Sequence, residues 1–212
     1  GPSKFFYSLD SEYTSFYRKD TNTTLVSGKR ADIYPKIYLP LKLGRFFHFE
    51  PFVGTRSTIW HTTQFTDING DSGHVRKRQM VDGGMHLSTK LINIFSPNNQ
   101  FADKIKHEIV PKLEYAFTPG FNQDDLPFFD ELDRIEEQNS LTWSLSNTFI
   151  SKKSRISPKG KEITNYHNLA YFKLYQSYDI EKERDSQTRP FSDISLDMEF
   201  APNEFISHDM DV

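Results

Sequence analysis

The chain has 212 residues, a formal net charge of -3, no cysteine and an aromatic content of 15%. The near-neutral charge excludes the basic excess of a typical nucleic-acid-binding domain, and the lack of cysteine excludes disulfides, thiolate metal sites and a Cys nucleophile. No run of about 18 apolar residues occurs, which excludes a membrane-spanning helix, whereas a membrane-spanning strand needs apolar residues only at alternate positions.

About eight segments alternate between apolar and polar residues. Successive side chains of a strand point to opposite faces, so each segment predicts a strand with one apolar and one charged face. In chain order the segments are Phe5 to Tyr17, Ser27 to Leu39, Phe46 to Thr62, Arg78 to Phe95, Lys104 to Phe117, Ser140 to Phe149, Tyr166 to Tyr175 and Asp193 to Phe200. His208 to Val212 resembles the beginning of another strand, so we expect a piece of a larger protein.

The segment from Lys104 to Phe117 shows the alternation most clearly. Ile105, Ile109 and Leu113 share one parity, and charged residues take the other. A long acidic connection follows. Strands of roughly ten or more residues can cross a hydrocarbon layer at a tilt, and their apolar faces would then contact lipid.

The connections also differ in length. Those after the third and fifth segments, Gln64 to Lys77 and the acidic stretch beginning at Thr118, are long, and those after the second and fourth are short. Outer-membrane barrels combine long extracellular loops with short periplasmic turns. We therefore predict an all-β fold: one domain over residues 1–212, an antiparallel transmembrane β-barrel segment with about eight strands of a larger barrel.

Two alternatives share this alternation. A soluble antiparallel sheet used as a binding module would turn its apolar face inward. A small self-contained outer-membrane barrel, either a porin or a barrel enzyme, would be complete in about eight strands. Residues 1–3, Gly-Pro-Ser, match the remnant of a cleaved expression tag.

The charged faces supply the candidate binding residues. Eight residues are predicted to face the lumen and the substrate: Arg30, Lys36, Arg56, Lys90, Lys106, Glu108, Lys112 and Glu114. The same residues also fit simple cross-strand charge pairing, at about 0.2–1 kcal/mol per pair.

The acidic connection after the fifth segment is a second candidate site. It contains seven carboxylates: Asp124, Asp125, Asp130, Glu131, Asp133, Glu136 and Glu137. They suit divalent cations, but their spacing matches no EF-hand, and a solvated or barrel-capping loop is favoured. Neither a zinc-protease helix nor a Gly-x-Ser-x-Gly elbow occurs, so we predict no enzymatic role, no metal and no cofactor.

Four stretches resemble the C-terminal barrel region of the lipopolysaccharide-assembly family LptD. They are Ser15 to Asp20, Ser27 to Pro40, Glu50 to Thr58, and Pro111 to Tyr115 followed by Asp124 to Asp130. The similarity extends over most of Phe5 to Tyr178. The family's periplasmic jelly-roll domain, its cysteines and its remaining strands have no counterpart here.

The resemblance implies a role in the outer membrane of a Gram-negative bacterium. The expected function is delivery of lipopolysaccharide to the outer leaflet. The expected partners are lipopolysaccharide, an LptE-type lipoprotein in the lumen, outer-membrane lipid, and the periplasmic Lpt bridge, reached through the missing N-terminal domain. No nucleic-acid partner is expected.

Overall fold

The computed structural model describes residues 4–19, 25–63, 70, 74–97, 102–184, 189–203 and 206–211. Its strands are β1 (Phe6–Lys19), β2 (Leu25–Tyr38), β3 (Leu41–Leu43), β4 (Phe47–Thr62), β5 (Val75–Thr89), β6 (Leu91–Phe95), β7 (Lys104–Thr118), β8 (Gln138–Ile156), β9 (Glu162–Asp179), β10 (Ser195–Asn203) and β11 (Ile206–Asp211). A 3-10 helix (Glu131–Asp133) and a short helix α1 (Ile180–Arg184) complete the elements. None of the helices in these ranges has the length and apolar content that crossing a membrane requires.

The strands confirm an all-β antiparallel fold. Hydrogen-bonded neighbours follow the order β1-β2-β4-β5-β7-β8-β9-β10-β11, with β3 beside β4 and β6 beside β7. Each of the eight predicted segments contains a strand, and β11 occupies the region where a further strand was expected. Closure into a barrel stays a prediction.

Some predicted boundaries were wrong. The segment Arg78 to Phe95 is two strands, because the strand is interrupted at Lys90, after which β6 pairs with β7. The connection predicted from Gln64 to Lys77 is shorter, since β5 already begins at Val75, and β8 continues to Ile156. The predicted tag remnant at residues 1–3 and most of the turn around Gly70, residues 64–69 and 71–73, lie outside the described residues.

The chain packs as two compact units. The first contains Gly1–Leu41, Glu50–Met85 and Ala116–Asn139, and the second contains Lys42–Phe49, His86–Tyr115 and Ser140–Val212. In the first unit β1 pairs with β2 along their full lengths, from Phe6 opposite Tyr38 to Lys19 opposite Leu25. Strand β2 also pairs with β4, with Ile37 opposite Val53.

Burial in the first unit is the reverse of that in a soluble sheet. The apolar side chains of β2, β4 and β5 are about half exposed: Ile33 51%, Ile37 50%, Val53 50%, Ile59 46% and Val81 55%. The side chains of opposite parity are buried: Arg30 1%, Asp32 4%, Thr58 0%, Trp60 0%, Arg78 3% and Asp82 9%. The alternation in the sequence thus separates an exposed apolar face from a buried polar face.

The second unit shows a weaker contrast between faces. Ile109, Leu113 and Leu145 are partly buried, and so is Lys106, with 37% of its side chain exposed. Strands β8 and β9 pair over a long register, with one irregularity between Phe149 and Ile150. These long paired strands fit the predicted strands. In this unit, however, apolar and polar residues are buried to a similar degree, so burial does not distinguish the two faces.

An aspartate joins the turn before β7 to β8 in the second unit. The Asp103 amide donates to the Lys152 carbonyl at 2.9 Å, and its carboxylate accepts from the Ser154 amide at 2.7 Å and from Lys153 Nζ at 2.8 Å. The hydrogen bond from Lys153 is the main cause that lowers the pKa of Asp103. The basic stretch Lys152 to Arg155 therefore forms part of a paired strand.

Candidate functional site

The acidic connection between β7 and β8, residues 119–137, is an ordered structure in the first unit; we name it the acidic loop. Gln123 connects its two halves, since the Gln123 side chain donates to the Ile135 carbonyl at 2.8 Å and accepts from the Ile135 amide at 3.1 Å. Arg134 donates to the carbonyls of Leu126 and Pro127 at 3.0 and 3.1 Å. Asp130 caps the 3-10 helix in a capping box with Asp133. The loop therefore has a defined shape of its own.

The Asp133 carboxylate anchors the loop to the strands. Asp133 is fully buried. Its Oδ1 accepts from Arg30 Nη1 and from Trp60 Nε1, each at 2.7 Å, and its Oδ2 accepts from the amides of Phe129 and Asp130 at 2.7 and 3.2 Å. One carboxylate thus connects the loop backbone to β2 and β4.

Arg30 of β2 is the cation at the centre of this anchor. Its guanidinium donates to both oxygens of Asp130, with Nη2 to Oδ2 at 2.9 Å, and to Glu12 Oε1 of β1 at 2.7 Å. With Asp133, three carboxylates surround one buried guanidinium. Charge-assisted hydrogen bonds of this kind are roughly twice as strong as neutral ones.

A second set of polar residues continues from Arg78 across β4 to β2. Arg78 donates to the Leu132 carbonyl at 2.9 Å, to the Asp133 carbonyl at 3.2 Å and to Thr58 Oγ1 at 3.0 Å. Thr58 in turn donates to Asp32 Oδ1 at 2.6 Å. Arg56 Nε lies 3.0 Å from both oxygens of Asp32. The buried polar face is therefore a connected network that includes the loop backbone.

An aromatic contact accompanies the ionic one. The Phe129 ring of the acidic loop stacks on Phe16 of β1, with centroids 4.5 Å apart and planes at 6°. It lies over Gly28, where an added Cβ would come within 2.4 Å of Phe129 Cζ. Only glycine at this position of β2 leaves room for the ring.

We expect Gly28→Ala to destabilise the docked loop by about 1–3 kcal/mol, the usual cost of overpacking. A loss of stability would point to the contact with Phe129, because replacing glycine by alanine in a strand otherwise stabilises by roughly 0.5–1 kcal/mol. Chemical unfolding in detergent micelles measures the change. In a Phe129→Ala background the same substitution should be neutral or stabilising; equal destabilisation in both backgrounds would contradict the contact.

The carboxylates of the acidic loop are not all exposed to solvent, so the loop is not simply a solvated segment. Asp124, Asp125 and Glu131 are exposed, whereas Asp133 is buried and Asp130 is bound to Arg30. The hydrogen bond from Arg30 is the main cause that lowers the pKa of Asp130 from its ordinary 3.8, so this carboxylate is ionised at neutral pH. Within the described ranges no group of three or more His, Asp or Glu side chains is arranged so that it could hold a metal ion.

The eight residues predicted to share the charged face fall into separate groups. In the first unit Arg30 and Arg56 belong to the buried network, and Lys36 Nζ lies 4.3 Å from the Tyr34 ring centroid. Tyr34 donates to Asp82 Oδ2 at 2.6 Å. The partners of Arg30 lie on β1 and in the acidic loop, and the partner of Arg56 lies on β2.

In the second unit the remaining five predicted residues form two ion groups. Glu108 lies between two lysines, with Lys90 Nζ at 2.7 Å and Lys106 Nζ at 2.6 Å. Glu114 accepts from Lys112 at 2.7 Å and lies 3.3 Å from His86. Each group contains one carboxylate and more than one basic side chain.

Two features of the site were missed by the sequence analysis. Trp60 was not singled out, although it shares the parity of Arg56 and Thr58, and an indole N–H on a polar face needs an acceptor. The pairing of Gly28 with Phe129 was also missed, because a contact between positions so far apart in the chain leaves no local signal. The parity of Trp60 was the available clue.

The chain is similar to proteins named LPS-assembly protein LptD. It is 25% identical over 167 residues to that of Hahella chejuensis, covering 68% of this chain and 20% of the relative. For Thiobacillus denitrificans the identity is 24% over 176 residues, covering 72% and 22%. For Aromatoleum aromaticum it is 26% over 168 residues, covering 68% and 19%. The chain spans about a fifth of the length of these curated relatives.

The family comparison covers the chain completely. The family described as LptD, LPS transport system D, matches residues 1–212. The match includes both stretches that form the anchor, the strands around Arg30 and the acidic loop with Asp133. The exposed apolar face and the buried polar face lie in the same matched region. The chain therefore belongs to the LptD family.

Proposed function

We propose that this chain is part of the wall of an outer-membrane β-barrel that delivers lipopolysaccharide to the outer leaflet. The observation that carries the proposal is the reversed burial in the first unit, where Ile33, Val53 and Val81 are about half exposed and Arg30 and Arg78 are buried. A soluble sheet would hide its apolar face. A lipid environment makes the exposed face favourable and leaves the polar face for a wet interior.

Membership of the family supports a proposal for the surroundings of this segment. We place it in the outer membrane of a Gram-negative bacterium, as one domain over residues 1–212 and about eight transmembrane strands of a larger barrel. Its partners would be lipopolysaccharide, outer-membrane lipid, an LptE-type lipoprotein in the lumen and the periplasmic Lpt bridge. Transport rather than catalysis is the proposed activity, and the names of the relatives support that choice.

Bilayer insertion tests the proposal against its two alternatives. We expect the refolded chain to need detergent for a monodisperse state and to associate with phospholipid vesicles in flotation. Monodisperse behaviour without detergent would favour the soluble binding module. Vesicles made permeable by this chain alone would favour a self-contained porin. The measurements are light scattering and dye release.

We further propose that the eight predicted residues belong to the face that lines the polar interior and that the exposed lysines among them, Lys90 and Lys106, contact the substrate. The Glu108 group of the second unit supports this, because two lysines share one glutamate and the excess of positive charge suits anionic groups. Lys90 and Lys106 also keep 53% and 37% of their side chains exposed. Exposed lysines paired to one glutamate can exchange that partner at little cost, since such pairs contribute about 0–1 kcal/mol.

Reversing two of these charges tests whether the lysines act in transport or in folding. In the complete protein we expect Lys90→Glu with Lys106→Glu to reduce lipopolysaccharide export severalfold while stability changes by about 1 kcal/mol or less. Surface lipopolysaccharide measures export, and resistance to urea measures stability. Lys90→Arg with Lys106→Arg is the matched control. Unchanged export in the charge-reversed protein would contradict the lining role.

A further inference from the structure

The strand residues that hold Asp133 form a cradle of donors; we name Arg30, Trp60 and Arg78 the donor cradle. All three side chains are buried. Arg30 and Trp60 donate to Asp133 Oδ1 at 2.7 Å. The Arg78 guanidinium lies 5.1 Å from the centroid of the Trp60 ring. The cradle therefore belongs to paired strands, whereas the carboxylate inside it belongs to the acidic loop.

Arg78 is unusual among the buried cations of the first unit. Its hydrogen bonds go to two loop carbonyls and to the Thr58 hydroxyl, all neutral acceptors. In the part of the chain that the structure describes, no carboxylate lies within ion-pair distance of it. The Nε atoms of Arg30 and Arg78 are buried and make no hydrogen bond. Because a buried charge is costly unless it is paired, the cradle has more capacity for an anion than Asp133 uses.

We propose that the donor cradle is a binding site for a phosphate monoester group and that Asp133 occupies it in cis. A guanidinium fork matches the oxygens of phosphate as well as those of carboxylate, and phosphate offers more acceptor oxygens than one carboxylate. The Asp133 carboxylate and the anion then compete for the same donors. In the unsubstituted chain a phosphorylated ligand must displace this carboxylate, whereas in a variant without it phosphate can take its place beneath the loop.

The source of the phosphate depends on the proposed function. A free phosphate ion and a phosphate on a glycolipid present the same chemistry to the cradle. If the chain lines the path of lipopolysaccharide, the phosphates of that lipid are the natural occupants. The binding site itself stands on the geometry alone, so the two inferences can fail separately.

Tryptophan fluorescence provides the test, because the chain has only two tryptophans. Trp143→Phe leaves Trp60, which is fully buried beneath the loop. In this background Asp133→Ala should raise acrylamide quenching of Trp60 severalfold, and inorganic phosphate should reverse the rise when compared with chloride at equal ionic strength. Without the Asp133 substitution, phosphate should have little effect. Adding Arg78→Gln should abolish the phosphate response.

Two further measurements complete the test, one with the variant Asp133→Asn and one with lipopolysaccharide as the ligand. Asp133→Asn removes the charge at nearly constant size, and the same measurement is made on it if Asp133→Ala does not fold. Absence of any phosphate response in a folded variant would overturn the proposal, and so would failure of both variants to fold, since the loop would then be an obligatory part of the structure. A response to inorganic phosphate but not to lipopolysaccharide would keep the site and reject lipopolysaccharide as its occupant.

Discussion

Asp133→Ala is expected to lower the free energy of unfolding by about 3–5 kcal/mol, the usual effect of removing one partner from a buried ion pair. The substitution leaves Trp60 Nε1 without its acceptor and removes one of the carboxylates that surround Arg30. It also frees the loop amides of Phe129 and Asp130. Urea unfolding in detergent micelles, followed by Trp60 fluorescence in the Trp143→Phe background, measures the loss.

Glu131→Ala is the matched control, because Glu131 is exposed on the same loop, two residues away. Its effect should stay within about 0.5 kcal/mol, as for ordinary surface substitutions. Asp133→Asn should fall between the two, since the amide oxygen still accepts from Trp60 but carries no charge. Equal effects of Asp133→Ala and Glu131→Ala would show that the loop does not depend on this carboxylate.

Ile33→Arg is expected to destabilise the bilayer-inserted protein by about 2–4 kcal/mol if the position lies near the membrane midplane, and by less towards the interfaces. The reason is that Ile33 is 51% exposed on the apolar face, which we place against lipid. In a soluble protein the same substitution at a half-exposed site would change stability by only about 0.5 kcal/mol. Unfolding from phospholipid vesicles gives the free energy.

Ile33→Leu controls for the loss of the β-branched side chain without adding charge. A stability within about 1.5 kcal/mol of the wild type is expected for this apolar exchange. Val53→Arg tests a second position on the same exposed face. If both arginine variants behave like Ile33→Leu, the apolar face does not contact lipid and the proposed location is wrong.

Much of the fold followed from the alternation of apolar and polar residues. The period of two is a property of the strand backbone itself, so segments such as Lys104 to Phe117 were assigned correctly without knowledge of their partners. Boundaries were less certain at Lys90 and at Lys152 to Ile156, because strand ends depend on the hydrogen bonds of a neighbouring strand. The local sequence does not contain that information.

The candidate site was only partly predictable. Parity placed Arg30 and Arg56 on the charged face, and the acidic residues of the loop were visible as a group. Which of those carboxylates turns inward was not visible, since Asp130 and Asp133 differ from Asp124 and Asp125 only in what the folded chain brings near them. Gly28 and Phe129 contact each other across about a hundred positions of sequence.

By itself the sequence determined the all-β character, the apolar and polar faces of the strands and the resemblance to one family, because each depends on residue order over short distances. The tertiary structure decided that the apolar face of the first unit is the exposed one and that the acidic loop binds to the polar face through Asp133. Both depend on long-range packing, in which a charge is stabilised only by the particular partners that folding brings within hydrogen-bond distance.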